Sequence, residues 1–329
     1  GWDAFLVKFD SLGNRLWATY YGGTGGDYGR SVAVDATGNI YFAGYTSSNT
    51  GIASGGFQNV KGGSNDAFLV KFDAAGNRLW ATYYGGTDWD DASSVAIDAA
   101  GDIYLAGTAT SVAGISSGGF QNTYGGGGGD AFLVMFDASG NRLWATYYGI
   151  TGNDFGDGLA TDKYGNVYIA GRTTSSTGMS SGGFQNNFGG SLVDGYLVKF
   201  NGAGNRLWAT YYGGTGDDYG WAVCTDTSGN VFLTGETVSA SDIASGGFQN
   251  LFGGVSDGYL VKFDGAGNRL WSTYYGGDNY DRGTSVATDS SGYIYLCGST
   301  TSDTGISSGG FQPNRAGTIN EFLVKFDNN

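Results

Sequence analysis

Histidine is missing from this sequence altogether, and with it goes every chemistry that needs an imidazole. No Ser-His-Asp triad, no Cys-His pair and no His-ligated metal can be assembled. The 329 residues include one proline, Pro313, and no strict glycine period, which excludes a collagen-type helix. The two cysteines, Cys224 and Cys297, stand where the first repeat has Ala33 and Ala43, and they read as small buried residues; a disulfide between them is the alternative. They supply no CxxC site, and the glycine-rich turns lack the Lys-Ser/Thr of a phosphate loop. Cations are also scarce, 16 Lys and Arg against 30 Asp and Glu, for a net charge of -14. That balance argues against nucleic acid and anionic membrane as partners. No run of 18 apolar residues is present to span a membrane as a helix, and no signal peptide is evident, although a mature secreted chain would have lost one.

What the sequence has in excess is glycine, 64 residues, and aromatic residues, 16%. They are arranged in words that recur along the whole chain. Asp-Ala-Phe-Leu-Val-Lys-Phe at Asp66–Phe72 is followed by Asp73-Ala-Ala-Gly-Asn77 and Arg78-Leu-Trp80-Ala-Thr-Tyr-Tyr84-Gly-Gly86, and similar words begin at Asp3, Asp130, Asp194 and Asp257. Trp17, Trp80, Trp144, Trp208 and Trp271 mark a spacing of 63, 64, 64 and 63 residues. A near-constant period means that one packed unit is reused.

Each period holds four short runs rich in Tyr, Phe, Val, Ile and Thr, separated by glycine turns, and no run has a 3.6-residue rhythm. The reading is an all-β protein: a five-bladed β-propeller of four-stranded antiparallel blades of about 64 residues, 1–329 forming one domain. A β-solenoid is the rival, disfavoured by the long period and the lack of dedicated caps. With the small-residue run Ser31-Val-Ala-Val as first strand, Ile40–Gly44 becomes the second, Asp66–Phe72 the third and Leu79–Tyr84 the outer fourth. On that phase there are five first, five second and five fourth strands, but six third strands, because residues 3–9 and 321–326 both carry the word. The expectation is a ring closed by pairing of the N- and C-terminal strands, with Leu16–Tyr21 completing a blade begun at Ser285. A monomer is expected, with domain swapping between near-identical copies as the other outcome.

Three acidic sets and one aromatic set recur and could carry function. Asp35, Asp98, Asp162, Asp226 and Asp289, like Asp10, Asp73, Asp137, Asn201 and Asp264, open Asp-x-x-Gly turns and read as caps. Arg15, Arg78, Arg142, Arg206 and Arg269 follow the second of these turns and read as pairing groups. Asp27, Asp90, Asp154, Asp218 and Asp281 fall in the loop before the first strand; their oxygens are candidate ligands for Ca²⁺, against the alternative that each fixes its loop. Phe57-Gln58, Phe120-Gln121, Phe184-Gln185, Phe248-Gln249 and Phe311-Gln312 recur in every period. An aromatic face beside an amide suits a sugar, and the alternative is a loop anchor whose Gln satisfies backbone groups. Trp89 and Trp221 are unique to their copies and are candidate exposed contacts.

These words, together with Val-Asp-x-x-Gly-Asn-Ile-Tyr-x-Ala-Gly and Gly-Gly-Phe-Gln, resemble the bacterial β-propeller repeat family known as SBBP, over all five periods from Asp3 to Phe326. The resemblance implies a propeller in extracellular or surface-attached bacterial proteins, often beside adhesion domains. The family name implies seven blades, from which five full periods depart, and the family supplies no catalytic residue to carry over. The functional expectation is a non-catalytic extracellular binding or adhesion module, multivalent for glycans, at the cell surface. A structural or protein-binding scaffold stabilised by calcium is the second reading, and a glycosidase-like pair of carboxylates the third.

Overall fold

A computed structural model describes residues 1–328. Twenty-one strands are present, the number the phased repeats require, and no helix occurs among the described residues. The chain forms two compact units, Gly1–Thr151 with Ala203–Asn205, and Gly152–Gly202 with Arg206–Asn329.

In the first unit a two-stranded sheet pairs β1 (Ala4–Phe9) with β2 (Arg15–Tyr21). A four-stranded sheet follows in simple order: β3 (Asp27–Val34), β4 (Ile40–Thr46), β5 (Asp66–Phe72) and β6 (Arg78–Tyr84). The next sheet repeats it with β7 (Asp90–Ile97), β8 (Ile103–Ala109), β9 (Asp130–Phe136) and β10 (Arg142–Tyr148). The second unit holds two more such sheets: β11 (Asp154–Thr161), β12 (Val167–Thr173), β13 (Asp194–Phe200), β14 (Arg206–Tyr212); then β15 (Asp218–Thr225), β16 (Val231–Thr237), β17 (Asp257–Phe263), β18 (Arg269–Tyr275). It ends with a three-stranded sheet of β19 (Asp281–Thr288), β20 (Ile294–Thr300) and β21 (Asn320–Phe326).

The surplus third strand therefore resolves into two sheets, each with its own copy. Leu16–Tyr21 does not join residues 321–326 in the sheet order: β2 pairs with β1, from Ala4 opposite Tyr21 to Phe9 opposite Arg15. The physical reason is local. A hairpin closed by the five-residue turn Asp10–Asn14 has little loop entropy to lose, whereas β21 is some 300 residues away in sequence.

Period-2 alternation is absent from β5, β9 and β13, where all seven residues are buried. Such strands face packed neighbours on both sides, which is why they read as continuous apolar runs. Successive first strands lie side by side: Val95 N–H donates to Ser31 Oγ at 3.1 Å in the first unit, and the Thr225 and Thr288 hydroxyls donate to Thr161 O and Thr225 O in the second.

In three hairpins two donors then fasten the strands to the turn of the next repeat. Lys71 Nζ and Trp80 Nε1 both donate to Ala138 O at 3.1 Å, Lys199 and Trp208 share Gly265 O, and Lys8 and Trp17 share Ala74 O. The turn glycine allows this twice over. Gly140 has φ +84°, and a Cβ there would lie 2.9 Å from the Trp80 ring.

Candidate functional site

The Asp27 series, expected in loops, opens the first strands instead, and its members are buried. Each carboxylate is occupied by groups that close the preceding glycine loop. Asp27 accepts from Gly23 N at 2.8 Å, Ser48 Oγ at 2.9 Å and the Thr46 hydroxyl. Asp90 accepts from Gly86 N and Ser111 Oγ, Asp218 from Gly214 N, Ser239 Oγ and the Thr237 hydroxyl, and Asp281 from Gly277 N and Ser302 Oγ. Asp154 takes Ser175 Oγ at 3.0 Å and the Thr173 hydroxyl. The loop-fixing role is thereby accounted for by named bonds. Among the described residues, no three Asp, Glu, Cys or His side chains are grouped to hold a metal ion.

Sequence reasoning missed the companions of this series. Asp66, Asp130, Asp194 and Asp257 open the third strands and are also buried. Asp66 accepts from Gly62 N and Gly63 N, Asp257 from Gly253 N. The two series meet over a glycine: a Cβ on Gly213 would sit 2.7 Å from Asp218 Oδ2 and 2.8 Å from Asp194 Oδ1. Gly22 bears the same relation to Asp27 and Asp3. Burial, followed in each case by hydrogen bonds that oppose it, pushes Asp90 and Asp218 up to about 6. Asp194 and Asp257 rise to about 7, again through burial first, with the facing Asp218 and Asp281 adding to the shift. Asp257 Oδ1 and Asp281 Oδ1 are buried without a hydrogen-bond partner. The signal that could have found the pair was already in the words: an Asp before each apolar third strand has no reason to be there unless something holds it.

The Asp-x-x-Gly turns are caps. Asp73 Oδ2 takes the Asn77 side-chain amide and Oδ1 the backbone N–H groups of Asn77 and Ala75. The Asn77 side chain, then its backbone, holds the Asp73 carboxyl below the usual range, and Asn14 does the same for Asp10. Both cysteines are free and half-buried.

The Phe-Gln words sit in the loop between second and third strands, and that loop runs along the outer edge of its own sheet. Ser54 exchanges backbone bonds with Ala81 at 2.8 and 2.9 Å, Tyr83 N–H donates to Gln58 O, and Ser117–Ala145 and Ser181–Ala209 repeat the arrangement. The loop thus covers the exposed edge of the fourth strand. Gln58 spends its amide inside this structure: Nε2 donates to Val60 O and Asp66 Oδ2, and Oε1 accepts from Gly85 N. Gln121 donates to Thr123 O and Gly149 O, Gln185 to Asn187 O, Gln249 to Leu251 O and Asp257 Oδ2, and Gln312 to Asn314 O.

The phenylalanines lean on the following repeat. Arg142 lies over the Phe57 ring at 4.4 Å and Arg269 over Phe184 at 4.2 Å, which explains the recurring arginine. Arg78, Arg142 and Arg269 also donate to carbonyls of the loop that precedes them, at Ile52, Ile115 and Ile243. Phe57, Phe120 and Phe184 are about 40% exposed, Phe248 is 75% exposed, and Phe311 is fully exposed beside a cavity of about 930 Å³ that Phe248, Phe322 and Phe326 also line.

Of the two unique tryptophans, Trp89 is exposed and Trp221 is not a free contact. Trp221 is half-buried, stacked parallel on Tyr219 at 5.5 Å with Arg172 over its ring at 4.7 Å. It is the extra residue of a β-bulge between Gly220 and Ala222, which turns its side chain into that stack.

Comparison with known proteins follows the same lines. Regulatory protein FlaEY of Caulobacter vibrioides is 29% identical over 379 aligned positions, covering 88% of this chain and 38% of that protein. An uncharacterized WD repeat-containing protein, L264, of Acanthamoeba polyphaga mimivirus is 25% identical, covering 99% of this chain and 28% of that one. The chain thus spans well under half the length of either relative. Among solved structures, a protein of unknown function from Dyadobacter fermentans has a TM-score of 0.46 at 10% identity, covering 89% of this chain and 76% of that chain. A gluconolactonase from Xanthomonas campestris has 0.39 at 10% identity, covering 85% of this chain and 72% of that chain. Similarity at that level identifies neither a substrate nor a reaction. The β-propeller repeat SBBP matches residues 16–50, 143–176 and 270–304, each time from a fourth strand through the next first and second strands. Three stretches of this chain thus match the SBBP β-propeller repeat.

Proposed function

We propose that the chain is a non-catalytic binding module, displayed outside the cell or on a bacterial surface, with carbohydrate as its ligand. The observation that carries this reading is the division of labour between copied and varied residues. The copied Asp and Gln side chains are consumed by loops and strand edges, and the Lys and Trp side chains by the next turn in three of the hairpins. Aromatic and charged residues that differ between copies stand at exposed or half-exposed positions, Trp89 among them. A glycan array run with Ca²⁺ and again with chelator tests it: selective binding in both conditions is the expected result, and silence in both moves the reading to a protein-binding scaffold. Surface placement rests on the SBBP resemblance.

The five-bladed closed ring is the architectural part of the proposal. It requires β2 to leave β1 for β21, which ends in the same five residues as β1, Phe-Leu-Val-Lys-Phe. In a Thr19→Cys/Leu323→Cys variant with Cys224 and Cys297 changed to alanine, a cross-link at monomer mass is expected. A cross-linked dimer would mean exchange between copies. The second functional reading, a calcium-stabilised scaffold, is favoured by the buried unpartnered oxygens of Asp257 and Asp281. Under that reading the chelator lowers Tm without touching the glycan profile.

A further inference from the structure

The four-stranded sheets are close to copies, and their differences concentrate at one place. Where the first strand bulges against the second, three positions vary: the bulge residue, and the cross-strand pair beside it. In β3 and β4 these are Arg30, between Gly29 and Ser31, and the pair Tyr28–Tyr45. The same positions hold Ser93, Asp91 and Thr108 in the next sheet, and Trp221, Tyr219 and Glu236 in that of β15. A position held constant by packing would not change from Tyr to Asp within one chain.

At β3–β4 the variation builds an aromatic wall. Tyr28 and Tyr45 stack with centroids 4.7 Å apart and planes 17° from parallel, and Trp89 continues the row 6.2 Å from Tyr45. Tyr28 and Trp89 each keep between a third and a half of their surface exposed. The wall is held rigidly. Trp89 N–H donates to Thr110 Oγ1, and Trp89 O accepts from Thr110 N and Oγ1. On the other side, Asp27 N–H donates to Trp2 O at 2.7 Å and fixes the entering chain.

Tyr28, Tyr45 and Arg30 line an open cavity of about 550 Å³ together with Trp2, Asp3 and the buried Asp27. Arg30 lies 5.3 Å over the Tyr45 ring, and among the described residues neither it nor Asp3 takes part in an ion pair or side-chain hydrogen bond. A fork of donors, a carboxylate acceptor and exposed ring faces thus converge on a space of ligand size.

We infer that this cavity is a saccharide site, one per chain, for a neutral pyranose chain, which rests on the carbohydrate reading and gives it a location. A sugar C–H face lies on Tyr28, and ring hydroxyls accept from Arg30 and donate to Asp3. Neutral sugars fit better than uronates because Asp3 and Asp27 share the cavity and the chain carries a net charge of -14.

Titration calorimetry of the intact chain with cellotriose, maltotriose and triacetylchitotriose tests the site. The expected result is binding of at least one of them at one equivalent per chain. It weakens at least tenfold in Tyr28→Ala and Arg30→Gln at unchanged Tm, and survives Phe184→Ala. Stoichiometry near five, or loss in Phe184→Ala but not in Tyr28→Ala, overturns this site and leaves the carbohydrate reading standing on the Phe-Gln loops. No heat from any of the three overturns the site as drawn, and only a silent glycan array removes the broader reading as well.

Discussion

β1–β2 and β5–β6 are nearly the same peptide twice, Ala-Phe-Leu-Val-Lys-Phe and Arg-Leu-Trp-Ala-Thr-Tyr-Tyr, with pairing in the same register. Their fates differ. Phe68 and Tyr83 are buried, whereas Phe5 is 68% and Tyr20 80% exposed. The difference lies in what covers them. The loop from Ser54 to Gln58 runs along the outer edge of β6, Thr82 Oγ1 accepts from Gln58 N, and Tyr83 hydroxyl donates to Ser48 O. In β2 the Thr19 hydroxyl reaches only the neighbouring Tyr20 carbonyl. A hairpin of this type carries its own register and borrows its core from the sheet around it.

The largest expected effect pits the two tyrosines against each other. Tyr83→Ala should cost about 3–5 kcal/mol, the range for a buried aromatic, and Tyr20→Ala less than about 0.5 kcal/mol, both read from urea unfolding. The small loss at Tyr20 belongs to β2 paired with β1 alone; equal losses are the outcome the closed ring requires, with β2 covered as β6 is. The buried aspartates sharpen the contrast through pH. Asp194 and Asp257 hold their protons up to about 7 in the folded chain, above the ordinary 3.8, so their contribution to stability is full below about 4 and is lost as pH rises to about 7. Asp194→Asn with Asp257→Asn should flatten that decline in a denaturant series taken at several pH values; an unchanged slope would assign the decline to other groups. Trp80→Phe removes a donor to Ala138 O and should cost about 1–2 kcal/mol, more than Trp17→Phe at its half-buried counterpart. The smallest effect is at the loop anchors. Phe184→Ala loses its cover by Arg269, roughly 0.5–1 kcal/mol for that contact alone, while Phe248→Ala, mostly open to solvent, should leave Tm nearly unchanged.

Periodicity, strand number and the capping role of Asp73 and its equivalents were legible in the sequence because each depends on residues within a few positions of one another. The repeat words give Asp66–Phe72 to the residue. They start the first strands four residues late, at Ser31 instead of Asp27, because an Asp beside glycine reads as loop unless its partners Ser48 and Thr46 are known. Gln58 offered both a sugar contact and a loop anchor, and only three-dimensional neighbours distinguish an amide free to bind from one already bonded. The convergence of Lys71 and Trp80 on Ala138 O was invisible for the same reason: its partners lie 67 and 58 residues away. The varied positions around Arg30 were in plain view, but without the bulge register they do not fall together.

That shared carbonyl has a consequence for how such a chain changes over generations. Where both donors are present, in three of the hairpins, they and their acceptor sit at matching places in the repeat, so gain or loss of one whole period keeps these fastenings in register, while a partial period leaves a tryptophan facing the wrong turn. Near-identical repeats invite unequal recombination. The fastening lets through only the products whose length has changed by complete repeats, so blade number can drift while the blade itself stays fixed.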